Sequence, residues 1–216
     1  LHPFSPETAS THNSGLDLSQ LMILWTIQSP EAVSALKRTG RLVADAGVPE
    51  PQYRSPFAWM ARQMVARIGP SPRRARPLWA WHTWSATHSR PDLRASGHAE
   101  SGQRAARIEF VATEPTVLLS DFDLWHYVLN GWHLPISALA PRPVSRARVA
   151  ADTGVPAGRV AHSSVVSRLE RSWERIFVTA HSLTPRGVPQ HRRSIQATLW
   201  AVPLNTVTHI EWFRAR

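Results

Sequence analysis

The chain has 216 residues and no cysteine, which excludes disulfides, thiolate metal sites and a cysteine nucleophile together. One domain of this length buries a full apolar core without covalent staples. Its net charge of +10 points to anionic partners, but among the 25 basic side chains only Lys37 is a lysine. The arginines are spread along the chain, with PSPRRARP and QHRRS as the only short clusters, so a GC-rich coding preference explains them as well as a nucleic-acid face does.

Residues 1–20 lack an initiator Met and the basic-then-apolar order of a signal peptide. They read as a disordered tail or an extension before one globular domain, 21–216, with Met22 as an alternative natural start. No apolar run approaches the ~18 residues of a membrane span, so no membrane partner and a cytoplasmic location are expected.

LMILWTIQ (21–28) is an apolar run of strand formers. Ser29 and Pro30 then make a cap-and-proline helix start, and Gly40 is a fitting stop. RLVAD is a second short extended piece. A further helix starts at Ser55–Pro56, with Phe57, Met60, Ala61, Met64 and Ile68 on one face. PLWAWHTW (77–84) alternates, which places Trp79 and Trp81 on one pleat face and His82 and Trp84 on the other. Residues 86–106 carry turn formers without periodicity and read as an exposed loop. RIEFVAT and TVLLS read as strands and DFDLWHYVLNGW as a helix. Residues 135–162 form an irregular excursion. SSVVSRLERSWERIFV has helical spacing, the stretch 179–194 is polar, and QATLWAVPL and VTHIEWF are closing strands. The expected fold is α/β, or α+β: a single domain with a mixed β-sheet and helices packed on it.

The stretch LLSDFDLWHYVLNGWHL (118–134) concentrates acid, imidazole and aromatic side chains. Ser120 at the N-cap with Asp123 three residues on resembles a capping box, and Asp121 and Asp123 complement the positive helix end. Helical spacing aligns Phe122, Trp125, His126, Leu129, Trp132 and His133. Asp123 and His126 lie one turn apart, so they either pair as an acid–base couple or serve only as cap and core residues. His126 and His133 would stand about 10 Å apart along a helix axis. With no HExxH-type pattern to join them to His82 and His88, no metal is expected. Arg90 and Arg94 in SRPDLR are candidate anion or nucleic-acid contacts, because guanidinium forks match phosphate; a solvated Asp–Arg loop is the alternative. Ten Trp, each with one N–H to satisfy, imply a thick aromatic core, a stacking pocket, or both.

Six segments taken in order, ILWTIQSPEAV, RIGP with PLWAW, RIEF, LLSDFDLWHYVLN, SWERIF and QATLW, resemble an uncharacterised bacterial domain-of-unknown-function family, from about Leu24 to Trp200. At the level of pattern, ILWTIQSPEAVSALKRTGRL and QATLWAVPLNTVTHI also resemble the opening and closing units of ADP-ribosyltransferases. That likeness implies an NAD cofactor held by Thr26, Gln28 and Trp81, with Gln196 and Thr198 in the catalytic-strand region. Where those enzymes place Glu this chain has Thr198, which cannot supply the negative charge that stabilises an oxocarbenium-like ribose. Asp121, Asp123 and His126 are then the candidate catalytic groups. The two functional expectations are an NAD-binding, ADP-ribosyltransferase-like protein and a non-enzymatic nucleic-acid-binding or regulatory module.

Overall fold

Six strands form one sheet in the order β5–β6–β3–β1–β4–β8 in the computed structural model, which describes residues 20–44, 50–72, 75–95, 97–134, 162–179 and 193–216. In chain order the elements are β1 (Leu21–Gln28), α1 (Pro30–Thr39), β2 (Arg41–Leu42), α2 (Arg54–Ile68), β3 (Leu78–Thr83) and β4 (Arg104–Thr113). There follow β5 (Leu118–Asp121), α3 (Phe122–Leu129), α4 (His162–Trp173), β6 (Ile195–Leu199), β7 (Val202–Pro203) and β8 (Val207–Arg214). The expected single α+β domain is what the molecule adopts. The expectations for the tail, the 135–162 excursion and most of the 179–194 stretch lie outside the described residues.

Every ladder among the described residues is antiparallel, where a mixed sheet was expected. The reason lies after α1: β2 does not return beside β1 but pairs with β7 in a separate two-stranded sheet, so no parallel crossover closes. β1 pairs with β4 along its whole length but meets β3 at the single register pair Trp25↔Trp81. Across that loose seam Thr26 Oγ1 donates to the Trp79 carbonyl at 2.7 Å, and Gln28 Nε2 donates to Thr26 Oγ1 at 2.8 Å.

Strand register assigns the two faces of the sheet. Leu24, Ile108, Phe110, Ala80, Ala197 and Leu199 pack with Val33 and Leu36 of α1. On the other face Leu118 and Trp79 join a second core with Trp59, Met60 and Met64 of α2, Leu124, Trp125 and Val128 of α3, and Trp173 and Ile176 from the α4 end. Two apolar layers on one sheet take in most of the buried apolar side chains among the described residues.

Local chemistry explains the helix ends. At α1 Ser29 Oγ accepts the Ala32 N–H at 3.3 Å, and Gly40 takes φ 75° with its N–H on the Leu36 carbonyl. The expected Ser55 cap is not used. A 3-10 turn over Pro51–Tyr53 runs straight into α2, Tyr53 is the cap residue, and Ser55 lies inside the first turn. Pro56 still fits there, because first-turn amides have no intrahelical partner to lose. The buried face of α2 is Pro56, Trp59, Met60 and Met64, so Phe57, Ala61 and Ile68 fall at its margins.

α3 also departs from expectation. The chain stays extended through Asp121, which pairs with Ile195, so Ser120 is a buried strand residue and Asp121 is the cap. Its Oδ1 accepts the Leu124 N–H at 3.0 Å. The helix stops at Leu129, with Asn130 as cap and Gly131 at φ 64°, so Trp132 and His133 fall beyond it. The buried face is Leu124, Trp125, Tyr127 and Val128, not the stripe through His126 and His133.

The expected loop 86–106 is shorter, because β4 begins at Arg104 and buries Ala105 and Ala106. Before it, Trp84 and Thr87 bridge around Ser85 and Ala86, which hold φ values of 48° and 62°. Such two-residue turns favour Asn-Gly, since other L-residues are strained there. Here the turn is held by Ala86 N–H on the Arg193 carbonyl (2.6 Å) and Ser85 N–H on Ser194 Oγ (3.1 Å). Replacing Ser85–Ala86 by Asn–Gly is expected to raise stability by about 1 kcal/mol in urea unfolding; a loss of stability would show that the turn is not strained.

Candidate ligand-binding cleft

A cleft of about 390 Å³ opens on the α2–α3 side of the sheet, within the size range of small-molecule sites. Trp79, Ala80 and Trp81 of β3 and Gln196 of β6 line it from the sheet. Phe57 of α2 and Phe122, Trp125 and Leu129 of α3 line it from the helices. Thr26 and Ile27 contribute from β1, Tyr53 from the turn before α2, and Gly97 and His98 from the loop before β4.

The aromatic walls brace one another. Trp79 and Trp125 have centroids 4.8 Å apart, and Phe57 meets each of them edge-on at 5.9 and 6.2 Å. Trp81 packs against Phe122 at 4.8 Å and edge-on against Trp84 at 4.7 Å. Tilted and edge-on contacts of this kind add to area burial and fix ring positions.

Within this apolar setting, polar atoms are left over. Trp25 Nε1 donates to Glu109, Trp173 Nε1 to the Trp132 carbonyl and Trp200 Nε1 to the Gly69 carbonyl. Trp79 Nε1 and Gln196 Nε2, both on cleft-lining residues, are buried without a hydrogen-bond partner. Ser120 Oγ, on the strand position that registers with Gln196, is a third. Each orphaned group costs about 1–3 kcal/mol, and native proteins carry few of them.

The structure brings several sequence candidates together here and leaves others apart. Thr26, Trp81 and Gln196 line the cleft, and Gln28 is tied to it through Thr26. Thr198 does not reach it. It is fully buried one row below, where Oγ1 donates to the Leu118 carbonyl at 3.2 Å. Asp121 is fully buried and forms an ion pair with the buried Arg193, whose guanidinium also donates to the carbonyls of Thr179 and Val178. Asp121 therefore acts as cap and counterion.

Asp123 and His126 do not form the expected couple. His126 is exposed and its Nδ1 meets the Phe122 carbonyl at 3.0 Å, which satisfies the imidazole within its own helix turn. Asp123 Oδ2 is buried without a partner. Burial first, and the neighbouring Asp121 carboxylate second, raise the Asp123 carboxyl above its ordinary range, while His126, Arg193 and the Ser194 N–H oppose the shift. Arg94 is already engaged: it grips Asp92 through two nitrogens and holds that carboxyl at about 2. Arg90 is exposed in the same loop, outside the cleft. His82 and His88 stand ring to ring at 4.6 Å, and burial together with the His88 charge lowers the His82 imidazole. Among the described residues no cluster of three or more His, Asp or Glu side chains could hold a metal ion, and no helix is long and apolar enough to cross a membrane.

Tyr53, Phe57 and His98 escape a reading of the sequence. Phe57 reads as an ordinary core position, and His98 lies in a loop without periodicity. Only tertiary contact places them at the cleft.

The chain belongs to the family Domain of unknown function (DUF3841), whose model matches residues 23–208 and so takes in every residue that lines the cleft, but only the first two residues of β8. No curated protein and no solved structure matches it.

Two stability measurements follow from the acids beside the cleft. Asp121→Ala leaves the Arg193 guanidinium buried without its counterion and is expected to lose about 3–5 kcal/mol in urea unfolding; a loss under ~1 kcal/mol would mean the pair is dispensable. Asp123 has a raised native carboxyl value, so it detracts from stability above that value and stops doing so below the ordinary carboxylate range. Asp123→Asn should therefore be more stable than the parent at pH 7, and the advantage should vanish on acidification. An advantage independent of pH would contradict this assignment.

Proposed function

We propose that the cleft binds a nucleotide through its planar ring, with the nicotinamide end of NAD as the form that agrees with the ADP-ribosyltransferase-like pattern. The observation that carries this reading is the pair of partnerless donors, Trp79 Nε1 and Gln196 Nε2, in a cleft otherwise walled by aromatic rings. Stacking walls suit a flat, electron-poor or cationic ring. The two donors suit a carbonyl oxygen on it, and that bond would relieve the cost of burying them. A second groove of about 460 Å³ shares Tyr53 and Leu129 with the cleft and is lined also by Gln52, Ser55, Asn130 and Glu170, which supports a more polar place beside the ring for the remainder of a nucleotide.

The reading is one of binding. Transfer of ADP-ribose needs negative charge beside the ribose. None of the described residues lining the ring cleft is a carboxylate, and Thr198 lies beneath it.

NAD at about a hundred times its Kd should stabilise the protein by about 2.7 kcal/mol, which for a domain of this size is a rise of roughly 5–10 °C in Tm. Binding should vary little with salt. No shift with NAD, joined to DNA or RNA binding that weakens steeply with salt, would replace this reading by the nucleic-acid module. Gln196→Leu separates a ligand donor from a structural residue: the variant should be about 1 kcal/mol more stable alone, because an orphaned polar group is removed, and should bind NAD about tenfold more weakly. Unchanged affinity in that variant would overturn the role given to the donors.

A further inference from the structure

His98 enters the cleft from the loop between β3 and β4, and the structure fixes its hydrogen-bonding role. Its Nε2 lies 2.8 Å from the Asp92 carbonyl oxygen. A carbonyl can only accept, so Nε2 carries the proton, and in the neutral imidazole Nδ1 is then a bare acceptor. Nδ1 has no hydrogen-bond partner among the described residues. The ring is held in place by Trp84, 5.3 Å away, and by the edge of Phe213 at 6.2 Å. The loop itself is anchored to the sheet, because the buried Arg107 on β4 donates to the Pro91 carbonyl and pairs with Glu211 on β8.

The residues that line the cleft thus carry two kinds of group: N–H donors on Trp79 and Gln196 of the sheet, buried without a partner, and an acceptor on His98 of the loop. One compact group answers both, a primary carboxamide, whose oxygen accepts and whose nitrogen donates. We infer that His98 is a specificity-determining residue, which accepts a hydrogen bond from the amide nitrogen of a carboxamide-bearing ring and so selects the amide over ester or acid analogues. This rests on the ring-binding reading above and adds to it the residue that reads the amide nitrogen of the ring's substituent. An ester presents the same carbonyl to Trp79 and Gln196 but sets lone pairs against Nδ1, so that an acceptor faces an acceptor.

The test uses the full chain at about pH 8, with tryptophan-fluorescence titrations of nicotinamide, methyl nicotinate and N,N-dimethylnicotinamide. The unsubstituted protein should bind nicotinamide at least about tenfold more tightly than either analogue that lacks the N–H donor. His98→Phe keeps an aromatic ring at the position and should erase that preference: nicotinamide weakens about tenfold while methyl nicotinate is unchanged. Equal affinity of all three compounds for the unsubstituted protein overturns the role of His98 and leaves ring binding standing. So does a preference that survives in His98→Phe, or an equal weakening of every compound, which would mean that His98 only supports the loop. Failure of all three compounds to bind removes the ring-binding reading and this inference with it.

Discussion

The geometry of the cleft depends on one buried ion pair. Asp121 and Arg193 are both removed from water, and such a pair persists only when its remaining hydrogen-bonding capacity is met. Asp121 meets it by capping α3, and Arg193 by taking the Val178 and Thr179 carbonyls at the end of the α4 segment. The Arg193 carbonyl in turn receives the Ala86 N–H, and Ser194 receives Ser85 and Phe122 through its side chain and carbonyl. One carboxylate–guanidinium contact therefore locks the start of β6, the start of α3, the turn after β3 and residues 178–179 beyond α4. Phe122, Trp125, Trp81 and Gln196 are all carried by those elements.

Around that lock the molecule divides its aromatic residues between two tasks. Trp59 and Trp173 are buried in the layer over the sheet, and the Trp173 N–H finds a carbonyl, so they behave as core residues. Trp79 and Trp81 stand at the open end of the same layer, and there satisfaction stops. Buried donors without partners detract from stability, and protein interiors carry few of them. Two of the four such side-chain atoms among the described residues, Trp79 Nε1 and Gln196 Nε2, belong to residues that line the cleft. The loose β1–β3 seam adds to this: where the strands part, Thr26 and Gln28 substitute a side-chain bridge for ladder bonds.

Much of the fold is legible in the residues. LMILWTIQ, PLWAWHTW and QATLW are strands because apolar and β-branched residues alternate or run together between Pro and Gly signals. Ser29, Pro30 and Gly40 bound α1 for reasons confined to a single helix turn. Legibility fails where a long-range contact overrides a local one. Ser120 is a better cap by motif than Asp121, but pairing with β6 keeps it extended. Asp123 and His126 are correctly spaced to couple, but the Phe122 carbonyl is nearer for the imidazole, and Ser194 is available to the carboxylate. The stripe assigned to α3 fails because the helix ends at Leu129, four residues short of His133.

The sequence by itself determined the class of fold, the positions of most elements and the family, because strand and helix signals are local properties of spacing and side-chain type. Thr26, Trp81 and Gln196, singled out through the ADP-ribosyltransferase-like pattern, all line the cleft. The tertiary structure alone decided that all pairings among the described residues are antiparallel, that Asp121 is the partner of Arg193, and that Thr198 lies one row below the cleft. It alone brought Tyr53, Phe57 and His98 to the cleft from segments distant in the chain. Those outcomes depend on which groups meet after folding and on which are left unpaired, and hydrogen-bond satisfaction in a dry interior is a property of the whole packing.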